Sequence, residues 1–202
     1  AYDWRDKDIP TFDAEVDALK RHGIRLQAFW LTSGPDPAAE RNVSTVLSFL
    51  KRRQVKTQLW YMFAPPRNFA DLSREDKLAM ASGAVKYLAA EAEKIGCSVG
   101  LYNHGGWFGE PENQLAILER VGMKKLGIVY NFHHGREHMD RFAEFFPKLA
   151  PHLLAVNLNG MKKDGPLIVT LGEGDRELEM LKVVRNNGYR GPIGILGHRA
   201  EQ

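Results

Sequence analysis

Six short apolar runs punctuate the chain, at residues 24–31, 57–63, 98–102, 127–132, 153–158 and 192–196. Each is brief and rich in branched or aromatic residues, the pattern of a buried strand. Between them apolar positions recur with helical spacing over 11–21, 36–53, 73–95, 111–121, 136–149 and 175–187. Thr11 is a candidate N-cap and Gly23 a candidate helix stop; Ser73 with Asp76 three residues on resembles a capping box with Asp in place of Glu. Strand and helix therefore alternate at a spacing of about 30 residues, which predicts consecutive βα units and a parallel sheet.

Two architectures satisfy that alternation, a closed (β/α)8 TIM barrel and an open doubly wound sheet. No strand leads into GxGxxG or GxxxxGK[ST], and GEGD at 172–175 is too short to cradle a dinucleotide phosphate. Almost every strand ends in polar or aromatic chemistry: Tyr2 to Arg5, Trp30, Trp60 with Tyr61, Asn103 with His104, Asn131 with His133 and His134, Asn157 with Asn159, and His198. A barrel builds its active site from those tips, whereas an open sheet gathers them at one switch point. The reading is one partial TIM-barrel domain over 1–202. Seven strand ends against the eight of a full barrel place one βα unit and most of the next strand upstream of Ala1.

Composition sharpens this picture in a few places. Of 202 residues 44% are hydrophobic and 26% charged, enough for a sizeable core. Net charge is +3 with the signs mixed, so no basic stripe marks a nucleic-acid surface. The clusters at 51–53 and 161–163 read as solvated charges, with Lys162 or Lys163 as the remaining phosphate-seeking candidates. The single Cys97 excludes an internal disulfide and leaves the compartment, cytoplasmic or exported, open. No run is long enough to span a bilayer, so neither nucleic acid nor a membrane is expected as a partner. Oligomeric state is not legible.

The tail GEGDRELEMLKVVRNNGYRGPIGILGH, the strand LYNHGG and the segments GIVYNFHHG and LLAVNLNG resemble the xylose isomerase-like barrel superfamily, which holds sugar phosphate isomerases, epimerases and endonuclease IV-type enzymes. The resemblance covers nearly the whole chain and implies a divalent metal held by Glu, Asp, His and a final Glu. This sequence carries Tyr102, Asn131 and Asn157 at the first three positions and no carboxylate at 195–197. Amide and phenol oxygens do not offset dehydration of a hard cation, so the family's metal site is expected to be lost.

Strand alternation predicts that His104, His133 and Asn159 share the inward face of Tyr102, Asn131 and Asn157. One reading is a relocated metal on His104, His133 and His198 with water as the fourth ligand. The preferred reading is a metal-free pocket for a small sugar or keto-sugar, with His104 or His133 moving the proton. Asn103, Asn131, Asn157, Asn159 and His198 would bind the substrate, and Trp107 or Trp30 would pack on it. Glu110 is either a further contact or a charge at a helix start. Of the adjacent pair only His133 is expected inside; His22, His138 and His152 are expected at the surface. The resemblance thus implies isomerase or epimerase chemistry, with a non-catalytic carbohydrate binder or a keto-glycoside lyase or hydrolase as alternatives. Nuclease chemistry is not expected, because a multi-metal site needs more carboxylates and histidines than these tips hold.

Overall fold

The computed structural model describes Arg5 and residues 7–196. The expected tip at Tyr2, Asp3 and Trp4, and His198, lie outside the described residues. Six parallel strands appear: β1 Ala28–Ser33, β2 Gln58–Phe63, β3 Ser98–Tyr102, β4 Leu126–Asn131, β5 Leu153–Leu158 and β6 Ile193–Ile195. Their order in the sheet is the order in the chain. A doubly wound sheet reverses direction at its switch point; this one does not, and it follows the sequential pattern of a βα barrel.

Helices fill the connections: α1 Phe12–Arg21, α2 Arg41–Arg52, α3 Arg74–Lys94, α4 Gly106–Gly109, α5 Pro111–Val121, α6 Phe142–Leu149 and α7 Glu177–Asn186. Ser73 caps α3: its hydroxyl accepts from Asp76 N at 3.1 Å and, in place of the reciprocal backbone bond of a capping box, donates to the Asp76 carboxylate at 2.7 Å. Two expected helices divide. Residues 36–53 hold a 3-10 turn at Pro37–Ala39, an extended Glu40 and then α2. Residues 136–149 hold a 3-10 helix at Arg136–Arg141 followed by α6. The first strand starts four residues later than expected, because pairing with β2 begins at Ala28 opposite Gln58; Ile24 is left 57% exposed.

The chain divides into two compact units, residues 1–100 with 116–126, and residues 101–115 with 127–202. In the first, Phe12 stands edge-on to Phe29 at 5.2 Å and tilted against Phe49 at 5.0 Å, joining α1, β1 and α2. Buried aromatic rings of this kind contribute about 1.5–3 kcal/mol each through the area they remove from water. Cys97 is buried, and burial raises its thiol pKa. Two cations of the 51–53 cluster are paired locally, Arg52 with Asp13 and Arg53 with Asp13 and Asp17.

In the second unit every residue of β4 is buried, as a strand covered on both faces requires. Behind it Tyr130, Phe132, Phe142 and Phe145 pack with centroid separations of 5.5 to 6.3 Å. Gly127 is needed where the β4 and β5 register shifts, since a Cβ there would sit 2.6 Å from the His152 carbonyl. The 161–163 cations are also paired, Lys162 with Asp175 at 3.0 Å and Lys163 with Asp140 at 2.5 Å.

Candidate active site

Register decides which strand-tip residues share a row. Asn131 at the end of β4 pairs with Asn157 on β5, and Asn157 pairs with Gly194 on β6. The amide of Asn131 donates to the Tyr102 hydroxyl at 2.6 Å, linking β3 to the same row. Tyr102, Asn131, Asn157 and Gly194 therefore lie side by side, the first three at positions where the resemblance implies metal ligands.

Three features make this row unfit for a divalent cation. Tyr102 is 1% exposed, and burial pushes its pKa up to about 12, so the phenol keeps its proton. The Asn131 oxygen is committed to the backbone N–H of His133 at 3.0 Å. Beside Asn157, Gly194 has no side chain, a Cβ there meeting the Asn157 amide oxygen at 2.4 Å, and residues 195–197, where the final ligand is expected, hold no carboxylate. With no anionic oxygen in the row, nothing offsets the cost of stripping water from a hard ion. Among the described residues no three His, Cys, Asp or Glu side chains are grouped to hold a metal; the histidine set proposed from sequence includes His198, outside those residues.

Above the row lies a cluster of imidazoles. His104 and His134 stack at 4.4 Å between centroids, His134 contacts His133 at 4.6 Å, and Tyr102 stands edge-on to His134 at 5.4 Å. This corrects the expectation that His133 alone faces inward. Period-two alternation ends at Asn131, where the chain enters a 3-10 turn at Phe132–His134; there His134 becomes the central ring. Its pKa is lowered to about 3, by burial first and then by repulsion from His104 and His133, so it is neutral at physiological pH. His104 is exposed. The strand stops at Tyr102 and His104 N donates back to the Tyr102 carbonyl at 2.8 Å, so strand alternation does not set its direction either.

The asparagines differ in what their amides do. Asn103 extends the ladder: its nitrogen donates to the Asn131 carbonyl at 3.0 Å and its oxygen accepts from Asn131 N at 2.8 Å. It therefore positions the two strand ends, with one hydrogen bond at each amide atom to the Asn131 backbone. Asn159 donates to the carbonyls of Gly160 and Leu167, while its buried oxygen has no partner. Asn157 is 7% exposed and sits over Gly194.

Beyond β3 the chain turns through Gly105 (φ +80°) and Gly106 (φ +60°), a backbone that disfavours side chains. That turn presents the half-buried Trp107, whose carbonyl accepts from the Asn113 amide at 2.8 Å. Glu110 then pairs with Arg141 at 2.8 Å and with His138 at 3.3 Å. Trp30 belongs to the first unit, where it lies opposite Trp60.

Two residues escaped the sequence reading. His138, expected at the surface, is 4% exposed and packs against Tyr130 and Phe145. The signal was present: His138 stands four and seven residues before Phe142 and Phe145, in phase with the apolar face of α6. Glu177 is also buried, its carboxylate accepting from Gly174 N at 2.6 Å and Gly172 N at 3.2 Å. From the first position of α7 it ties the GEGD turn to the start of that helix.

The xylose isomerase-like TIM barrel family model matches residues 1–200. A search of the curated proteins finds no match. Among solved structures, the apo form of the 3-keto-D-glucoside 4-epimerase YcjR from E. coli superposes with a TM-score of 0.68 at 16% identity, over 96% of this chain and 80% of that one. A D-psicose 3-epimerase in the presence of D-fructose gives 0.67 at 14% identity, over 96% and 80%. An AP endonuclease of family 2 from Brucella melitensis gives 0.67 at 17%, over 91% and 76%. At these identities the structures speak for the fold, while the family model covers nearly the whole sequence: the chain belongs to the xylose isomerase-like TIM barrel family.

Proposed function

We propose that this protein acts on a sugar or keto-sugar as an isomerase or epimerase, by metal-free proton transfer at the tips of β3 and β4. The observation that carries the reading is the His104, His134, His133 cluster standing on the Tyr102 and Asn131 pair. His104, exposed at the strand tip, takes the proton from the carbon next to the substrate carbonyl, and the C–H electron pair moves into an enediolate. Neutral His134 and the Asn157 amide offer N–H groups to the developing oxyanion, an arrangement that favours charge formed only in the transition state. Delivery of that proton from His104 to the former carbonyl carbon, with the hydroxyl proton passing between the two enediolate oxygens, completes an isomerisation; delivery from a protonated His133 to the opposite face of the original carbon, with His104 keeping the abstracted proton, completes an epimerisation. Trp107 offers its ring to the CH-rich face of the sugar. Epimerases on sugars among the structural neighbours support this substrate class.

The test is wash-in of deuterium from D2O into a panel of keto-sugars, followed by proton NMR. Exchange at neutral pH is expected, unaffected by chelators, with losses of about 100-fold or more in His104→Gln, the scale of one general base. A second reading, a carbohydrate binder without turnover, is favoured by the absence of any carboxylate from the Tyr102, Asn131, Asn157 and Gly194 row. Sugar binding by calorimetry with no exchange for any sugar would select it.

A further inference from the structure

We propose that His138 is a positioning residue, which ties buried Tyr130 to Glu110 and so fixes the turn that follows His104 and carries Trp107. The inference rests on the proposed sugar site for its purpose, and on geometry alone for its mechanism. The imidazole Nδ1 of His138 lies 3.2 Å from the Tyr130 hydroxyl and its Nε2 lies 3.3 Å from the Glu110 carboxylate. Glu110 also accepts from Arg141, which in turn donates to Glu112 at 2.5 Å. Arg141 is held over the Phe145 ring at 5.2 Å.

Chemistry fixes the proton positions along this chain. A carboxylate paired with a guanidinium only accepts, so His138 must carry its proton on Nε2 and donate it to Glu110. Nδ1 is then an acceptor, and Tyr130 donates to it. Burial raises the Tyr130 pKa, which keeps that donor protonated at every physiological pH. The result is a directed series of hydrogen bonds from the back face of β4 to the end of the Gly105 to Glu110 segment.

Its target is a segment with a soft start. The turn leaves β3 through two glycines with positive φ whose missing Cβ positions meet nothing within 4 Å. Those glycines supply freedom at one end; Glu110 supplies the anchor at the other. Between them, Gly109 fits closely, a Cβ there falling 3.2 Å from the Asn103 backbone. The anchor adds to the Asn113 amide on the Trp107 carbonyl, to the backbone bonds from Gly109 N to the Gly105 carbonyl and from Asn113 and Gln114 N to the Glu110 carbonyl, and to the buried Phe108 ring.

The test uses the full 202-residue chain and two variants, Tyr130→Phe, which removes one hydroxyl and keeps the ring, and His138→Gln. Nitrogen-15 NMR of the histidine side chains is expected to show His138 as the Nε2–H tautomer. Acrylamide quenching of Trp107, taken as the difference from Trp107→Phe, is expected to rise about twofold in His138→Gln, since a local opening becomes populated when its tether is lost. Deuterium exchange into keto-sugars should fall about tenfold through KM, the scale of one hydrogen bond to a charged group. Tyr130→Phe should give a smaller change of the same sign. An Nδ1–H tautomer, or unchanged quenching in both variants, overturns the proposal. If neither variant folds, the wild-type tautomer decides it alone. Raised quenching without exchange in any keto-sugar leaves His138 a positioning residue and removes the proposed reaction instead.

Discussion

The two units end their strands in opposite ways. In the first, the tip hydroxyls turn back on their own sheet: Ser33 pairs with Tyr61 at 2.8 Å, Thr32 donates to the Met62 carbonyl, and the Asn42 amide closes on the Thr32 carbonyl. Beneath them lies a core of Phe12, Phe29 and Phe49. In the second, the tips hold Tyr102, three imidazoles and a row of asparagines, and the interior also contains His138 and Glu177. Buried polar groups cost free energy unless each finds a partner. The same βα unit thus closes its tip on itself in one region, while in the other the tip carries the side chains on which the proposed chemistry rests. This is the division expected when a barrel keeps its scaffold and changes its tips.

The comparison breaks most sharply under core truncation. Phe49→Ala should lower unfolding free energy by about 3–5 kcal/mol while leaving the ligand affinity of the surviving folded protein unchanged; chemical denaturation with sugar calorimetry measures both. Asn131→Leu is expected to cost about 2–4 kcal/mol, because two hydrogen bonds are lost from buried partners. Unlike the first variant it should also abolish exchange. Equal functional damage from both would erase the distinction between the regions.

Acid sharpens it further. His134 has a folded pKa near 3 against an unfolded value of 6.5, so between these values the unfolded chain binds a proton that the folded chain refuses. Stability therefore rises with pH across that window and is lost as pH falls from 6.5 toward 3. Thermal melts of His134→Phe should show a shallower decline over the same range. The smallest effect belongs to Asp13→Asn. Its ion pairs with Arg52 and Arg53 are solvent-exposed, and their removal should leave the melting temperature nearly unchanged at physiological salt.

Much of this architecture was legible from the order of residues. Five of the six runs read as strands fall within two residues of the observed strands at both ends, and the Ser73 cap forms as its spacing requires. That Tyr102, Asn131 and Asn157 stand at strand ends was legible too, since it needs only the strand boundaries. The imidazole arrangement was not. Alternation holds only while the backbone stays extended, and at Asn131 the chain turns into a 3-10 helix that carries His134 to the centre of the cluster. Likewise Asn103 reads as a ligand until its two hydrogen bonds to the Asn131 backbone appear.

Sequence by itself determined the succession of βα units, the family and the neutral residues at the strand tips, because periodicity and residue type are local properties. Tertiary structure alone decided which groups meet: that His138 faces Tyr130 and Glu110, that His134 is buried against His104, and that Gly194 completes the row with Asn157. Those outcomes depend on strand register and on how tightly neighbouring segments pack, and both are set by contacts between residues far apart in the chain.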